Sequence, residues 1–303
     1  MTFELGPVVL GGNVFGFTAD REESFAVLDA FVAAGGRSID TADVYSAWVP
    51  GNSGGESETI IGEWVASRGN RDSVHIATKV FSLEARPGLS SANLTAAVDD
   101  SLRRLQSDYI DLYYAHRDDQ DVEQEEYVAA FDSLVKAGKV RTVGASNFTA
   151  DRLRSAVAIA QDKGLAPFTF SQDQWNLVER GIESTLVPTL AELGITELPY
   201  SSLASGFLSG KYRAGGPTVD SVRAGGASRY LEVPANVELL AALDDLAAAH
   251  DADVASVALA WLRAQHVVGA PIASARTVDQ VPALMRVVDL TEDDVARLSA
   301  ITA

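Results

Sequence analysis

No cysteine occurs among the 303 residues, which excludes disulfide staples and thiolate metal sites. Nothing in the composition therefore calls for an oxidising compartment. No apolar run approaches the ~20 residues that would span a bilayer. The N-terminal stretch MTFELGPVVLGGNVFG lacks a basic region followed by a long apolar segment. It is a poor signal peptide, and the expected location is the cytoplasm. Positive charge is scarce: 24 Lys and Arg against 42 Asp and Glu leave a formal net charge of −18. A surface of that sign repels nucleic acid and anionic lipid, so neither is expected as a partner. An anionic small molecule would bind only where cations gather locally. Metal-ligand spacing is lacking too, since His75, His116, His250 and His266 form no paired set.

What is present is an ordinary globular profile, 47% hydrophobic and 22% charged, in a chain long enough to bury a substantial core. Short β-branched apolar segments alternate with longer amphipathic ones. Strands are expected in VVLGG (8–12) and at 37–40, 73–80, 109–116, 140–147, 168–174, 195–201 and 267–274. Helices are expected over 21–34, 56–69, 90–106, 125–139, 151–164, 184–194, 234–250, 254–265 and 291–301, with a further helical start at 277–288. In 90–106, Leu94, Val98, Leu102 and Leu105 share one face. Thr291 suits an N-cap, and Pro188 marks a new turn within 184–194. Strand–helix alternation of this kind implies a parallel sheet. Eight units without a linker or composition break point to an α/β chain folded as one (β/α)8 TIM barrel over residues 1–303. A doubly wound open sheet is the runner-up. Residues 212–232 read as one long irregular stretch, a surface loop or a binding loop. Its Arg213, Arg223 and Arg229 would suit an anionic ligand.

In a parallel barrel all strand C-termini open on one face. The second strand ends in Asp40 with Tyr45 in the following loop, the third in Lys79, and the fourth in His116. The fifth ends in Ser146-Asn147, the sixth reaches Gln172, and the seventh reaches Tyr200-Ser201. The eighth ends in Ser274, with Arg276 beyond. An acid, a phenol, an ammonium and an imidazole thus share a rim, with amides and hydroxyls on the other side. A free tyrosine has a pKa of roughly 10. A neighbouring Lys79 ammonium would lower it, Asp40 would hold Lys79 charged, and His116 would donate a second hydrogen bond to the same oxygen. Tyr45 would then suit proton transfer to a carbonyl oxygen as charge builds there.

These motifs resemble the aldo-keto reductase family across almost the whole chain. They are IDTADVY (39–45), IATKV (76–80), YYAH (113–116), VGASNF (143–148), SQDQWN (171–176), YSSLASGFLSGKY (200–212) and ASARTVDQ (273–280), in matching order and spacing. The resemblance implies a (β/α)8 barrel that reversibly reduces a small-molecule carbonyl, usually with NADPH (NADP+) or alternatively NADH, without metal or flavin. It implies Tyr45 as general acid, Lys79 and Asp40 as the pair that tunes it, and His116 as the group that orients the carbonyl. Ser146, Asn147 and Gln172 would hold the nicotinamide carboxamide, and Tyr200 would stack on the ring. Ser201, Leu203, Ala204 and Lys211 would follow the pyrophosphate. Ser274, Arg276 and Gln280 would surround the adenosine 2′-phosphate, where Arg276 suits a bidentate contact. Ala283-Leu284 stand where the family often has Glu-Asn for adenine. Trp48, in the loop after Tyr45, is the substrate-pocket candidate. Trp175 stands where the family often has tyrosine, as packing or as a pocket wall. Nothing in the sequence sets an oligomeric state.

Two other readings were weighed. GNSGG (51–55) matches G-x-S-x-G, but Pro50 and a polar loop precede it where a nucleophile elbow needs a strand. Some members of the family resemble channel-associated β subunits, so a coenzyme sensor with little turnover is the alternative to an enzyme.

Overall fold

The structure is a computed structural model that describes residues 5–217, 219, 221–222 and 224–302. Eight parallel strands make one sheet: β1 Val9–Gly11, β2 Ser38–Asp40, β3 His75–Val80, β4 Ile110–Ala115, β5 Val140–Ser146, β6 Phe170–Gln172, β7 Thr196–Glu197 and β8 Ile272–Ala273. Neighbours in sequence pair from β1 to β7, and β8 pairs with β1. Backbone hydrogen bonds bridge the remaining gap between β7 and β8. Glu197 N–H donates to Val267 O at 2.8 Å, Gly269 N–H to Glu197 O at 2.9 Å, and Ile272 N–H to Pro199 O at 2.8 Å. The ring is closed, as a (β/α)8 TIM barrel requires, and the open doubly wound sheet is excluded. The expected strands at 195–201 and 267–274 shrink to two residues each. Pro199 and Pro271 lack an N–H for the ladder, and single bridges carry the pairing on.

The outer helices are α1 Arg21–Ala33, α2 Glu56–Arg68, α3 Ser91–Leu105, α4 Gln124–Lys136, α5 Ala150–Lys163, α6 Leu186–Leu193, α7 Ala224–Ser228, α8 Pro234–Ala249, α9 Val254–Arg263, α10 Val281–Met285 and α11 Glu292–Ile301. Their ends follow local chemistry. Asp20 with Glu23, and Thr291 with Asp294, form capping boxes before α1 and α11. Ser90 and Thr149 accept the first free N–H groups of α3 and α5. Gly69, Gly164 and Gly194 close α2, α5 and α6 in the left-handed conformation. Pro188 falls in the first turn of α6, where its missing N–H leaves no gap. Helices α2 and α3 meet at Gly62, where a Cβ would lie 2.1 Å from Arg104 O. No larger residue fits there without parting the two helices.

Residues 212–232 are less irregular than expected. Helix α7 and a 3-10 turn, Arg229–Glu232, order the second half, and Tyr230 packs on Phe207 with ring centroids 5.3 Å apart. Arg213 pairs with Asp244 at 2.7 Å, and Arg229 bonds the Tyr230 hydroxyl at 3.2 Å and lies 3.7 Å from Glu179. These two arginines pair with carboxylates of the protein. Arg223 lies outside the described residues.

Side chains alternate across each strand. Ile39, Ile76, Tyr113 and Val143 join the large core under the helices. Val9, Ala77, Leu112, Tyr114, Leu198 and Ile272 form a smaller cluster of opposite parity. Asp40 is the cross-strand partner of Ala77, and Lys79 stands two residues beyond it. Both therefore share the inward face, at its carboxyl end. Among the described residues no helix is long and apolar enough to cross a membrane.

Candidate active site

Lys79 is completely buried, and Asp40 is nearly so. The ammonium donates to Asp40 Oδ2 at 2.6 Å, to Thr41 O at 2.8 Å and to the Tyr45 hydroxyl oxygen at 3.0 Å. All three of its protons thus have acceptors, which a buried cation demands. The Tyr45 hydroxyl also lies 3.4 Å from Asp40 Oδ2. The turn after β2 brings the phenol back over its own strand, with Tyr45 N–H donating to Ala42 O at 3.1 Å.

One electrostatic expectation is reversed. Burial, and then the negative Asp40, push the Tyr45 phenol well above its ordinary range. Burial of the phenol, with Asp40 beside it, outweighs the acidifying effect expected of Lys79. Burial pulls the Lys79 ammonium down, against the opposing attraction of Asp40. The phenol is therefore a fully protonated donor at neutral pH.

His116 flanks the same space but does not bond to Tyr45. Their ring centroids lie 6.3 Å apart at 73°, and His116 Nδ1 is buried without a partner. Burial, then Lys79 and Arg117, pull the imidazole down to about 3, so it is neutral. The expected second hydrogen bond to the phenol oxygen is absent because both groups point into one cavity rather than at each other.

The amide side of the rim is already knit together. Gln172 Nε2 donates to Asp40 Oδ1 at 2.9 Å, from β6 to β2 across the barrel. One of its two amide protons is thereby occupied. Ser146 donates its hydroxyl to Gln172 O at 2.6 Å, and Asn147 Nδ2 donates to Ser146 Oγ at 2.9 Å and to His116 O at 3.1 Å. Tyr200 donates its hydroxyl to Asn147 Oδ1 at 2.8 Å.

A cleft of about 680 Å³ opens over these groups. Of the residues singled out from the sequence, Asp40, Tyr45, His116, Ser146, Asn147, Gln172, Tyr200, Ser201, Leu203, Lys211, Ser274, Arg276 and Gln280 all wall it. Lys79 lies beneath the cleft, and Ala204 is buried behind the bend at 201–206. Trp48 is 50% exposed and stands beside the cleft, edge-on to Phe17 at 5.8 Å and Tyr45 at 6.2 Å. Trp175 proves to be packing. It is buried, meets Trp261 at 6.1 Å, and donates Nε1–H to Glu183.

The donor set fits a dinucleotide. One end offers amides, hydroxyls and a tyrosine face. The far end offers Lys211 and Arg276, whose guanidinium has no partner among the described residues, beside Ala283 and Leu284 as an apolar wall. Gly11 keeps the floor open, since a Cβ there would meet Ser274 Oγ at 2.6 Å. Ser146, Asn147, Gln172 and Tyr200 would hold a nicotinamide, and Arg276 a phosphate.

Sequence reasoning passed over several residues. Asn13 accepts the Ser274 hydroxyl at 2.6 Å, and Phe17 props Trp48. Asp43, Asp173 and Glu197 are buried, and none was given a role. Their signal was available: a carboxylate inside an apolar segment, the same flag that Asp40 raised.

Fold and site together define a (β/α)8-barrel oxidoreductase. A profile described as the Aldo/keto reductase family matches residues 7–303. The chain is 33% identical to an uncharacterized oxidoreductase, YrpG, of Bacillus subtilis, over 94% of this chain and 87% of that one. It is 31% identical to norsolorinic acid reductase B of Aspergillus parasiticus, over 97% and 80%. It is 32% identical to an NADP+ aryl-alcohol dehydrogenase of Phanerodontia chrysosporium, over 90% and 74%. The chain belongs to the aldo/keto reductase family. It is an NAD(P)H-dependent oxidoreductase that acts on small-molecule carbonyl compounds.

Proposed function

We propose that this protein, working in the cytoplasm as a single domain over residues 1–303, uses NADPH to reduce aldehydes or ketones, aromatic ones in particular, to alcohols. The observation that carries the reading is the Lys79 ammonium held between Asp40 and the Tyr45 hydroxyl oxygen. With Lys79 donating into that oxygen, the phenol's own proton is held only by the long 3.4 Å contact to Asp40 Oδ2 and can turn to a carbonyl oxygen in the cleft. The bound nicotinamide supplies the hydride. Tyr45 keeps its proton until an oxyanion more basic than phenolate forms, and the charge left on the phenol then faces Lys79. His116, neutral, orients the carbonyl as a hydrogen-bond partner. Phe17 and Trp48 offer aromatic surface beside Tyr45, in keeping with relatives named for aryl alcohols and norsolorinic acid.

The test mixes the protein with NADPH and a panel of benzaldehydes and aliphatic aldehydes, following reduced-nicotinamide absorbance. Turnover faster with the aromatic members is expected. Tight coenzyme binding with no turnover on any member would replace the enzyme by the coenzyme sensor.

Coenzyme choice rests on Arg276. Asp253 and Asp279 also wall the cleft, so Arg276 is needed to offset their charge beside a 2′-phosphate. Arg276→Ala should weaken NADPH about 10–100-fold, the value of one charge-assisted pair, and NADH less than about twofold. Fluorescence titration of both coenzymes measures this. Equal loss of the two removes the assignment.

A further inference from the structure

Two buried carboxyl groups that the chemistry above does not use lie behind the amide cluster. Asp173 follows β6 and Glu197 ends β7; they are 4% and 0% exposed. Asp173 Oδ1 accepts the Asn147 N–H at 3.0 Å, and Oδ2 accepts the Ser171 hydroxyl at 2.5 Å. The Asp173 carbonyl accepts the Tyr200 N–H at 2.9 Å, and the Asp173 N–H donates to Glu197 Oε1 at 2.8 Å. Glu197 Oε2 is buried without a hydrogen-bond partner. Asp173 is also bonded covalently to Gln172. One residue therefore holds Gln172, Asn147 and Tyr200 together.

Asn147 needs such a hold. Its φ is 58°, in the left-handed region, which costs energy for a residue with a side chain even though asparagine tolerates it best. The Asp173 carboxylate fixes that backbone by its N–H. Neither carboxyl has an ion-pair partner among the described residues, so the arrangement is costly as packing alone. Two buried carboxyls whose charges repel resist ionising together. Burial, then Asp173, push the Glu197 carboxyl well above the usual range, so it keeps its proton. Asp173, raised to about 6 by burial, is the anion at neutral pH.

We infer that Asp173, backed by Glu197, is a positioning residue for the nicotinamide end of the coenzyme, acting through the Asn147 and Tyr200 backbones. This rests on the coenzyme reading above.

The experiment titrates two ligands by calorimetry: NADPH, and 2′-phospho-ADP-ribose, which lacks only the nicotinamide. Asp173→Asn replaces one acceptor oxygen by a donor that faces another donor. It should weaken NADPH about tenfold or more and the fragment by less than about twofold. Glu197→Gln, which preserves a neutral group of the same shape, should leave both within about threefold. Ser171→Ala, a milder change that frees Asp173 Oδ2, should weaken NADPH alone by about threefold and serves if Asp173→Asn does not fold. Unchanged NADPH affinity in the Asp173 and Ser171 variants, or equal weakening of both ligands, overturns the inference while the coenzyme reading stands. A loss in Glu197→Gln as large as in Asp173→Asn overturns the supporting role of Glu197. A wild-type protein that binds neither ligand overturns both readings.

Discussion

Tyr45→Phe is expected to cut carbonyl turnover by roughly 10²–10⁴-fold, the usual contribution of a positioned proton donor. Coenzyme affinity should stay within about twofold. The separation follows from the contacts. Removing the hydroxyl deletes one acceptor of the Lys79 ammonium, at 3.0 Å, but leaves Asp40 at 2.6 Å and Thr41 O at 2.8 Å. One ammonium proton loses its acceptor, a cost of about 1–3 kcal/mol, but the charge pair itself persists, so the protein should still fold. Asn147, Gln172 and Tyr200 form no hydrogen bond to the Tyr45 hydroxyl, so the amide side of the cleft is untouched. Single-turnover kinetics with saturating NADPH, alongside a fluorescence titration of coenzyme, measures both quantities. Turnover retained within tenfold, or equal loss of turnover and binding, contradicts the role given to Tyr45.

Lys79→Met should damage stability as well as turnover. The substitution keeps an apolar stem of similar length in a fully buried position but strands Asp40, which is 2% exposed. Breaking a buried pair from one side costs about 3–5 kcal/mol, because an uncompensated charge remains. For a chain of this size that is a fall in Tm of roughly 10 °C. The Gln172 amide at 2.9 Å and the Tyr45 hydroxyl at 3.4 Å are the side-chain donors left to Asp40, and neither is charged. Adding Asp40→Asn to Lys79→Met removes the stranded charge. The double variant should therefore regain most of the lost stability while remaining inactive. Thermal unfolding of the two single variants and the double one forms the test. A Lys79→Met protein that melts within about 1 °C of the parent would show that the pair carries no such tension.

The buried carboxylates show how far one sequence argument reaches. Asp40 stood out as an anion closing an apolar strand, and the structure places it against Lys79. Asp173 and Glu197 sit in equally apolar surroundings, in FTFSQDQ and ITELPYS, and the same reasoning would have flagged them. Apart from the nearby Ser171 hydroxyl they carried no partner in the sequence, because the groups their carboxyls accept from, the Asn147 N–H for Asp173 and the Asp173 N–H for Glu197, are backbone and belong to every residue. The loop at 212–232 misled for a related reason. Arg213 and Arg229 read as free cations, but Asp244 and Glu179 reach them from distant parts of the chain. The acidity of Tyr45 differs from expectation because a lysine's pull was counted without the burial of the phenol and without Asp40 lying close to it.

Local signals were enough to determine the alternation of strands and helices, the cap at Thr291, and the rim that gathers Asp40, Lys79 and His116. Each depends on residues near one another along the chain, or on the rule that all parallel strands open one way. Only the closed barrel decided that Gln172 reaches Asp40. These residues are 132 positions apart and lie on strands that an open sheet would hold far from each other. Closure turns them toward a shared interior, where separation is set by the radius of the ring and not by distance along the chain.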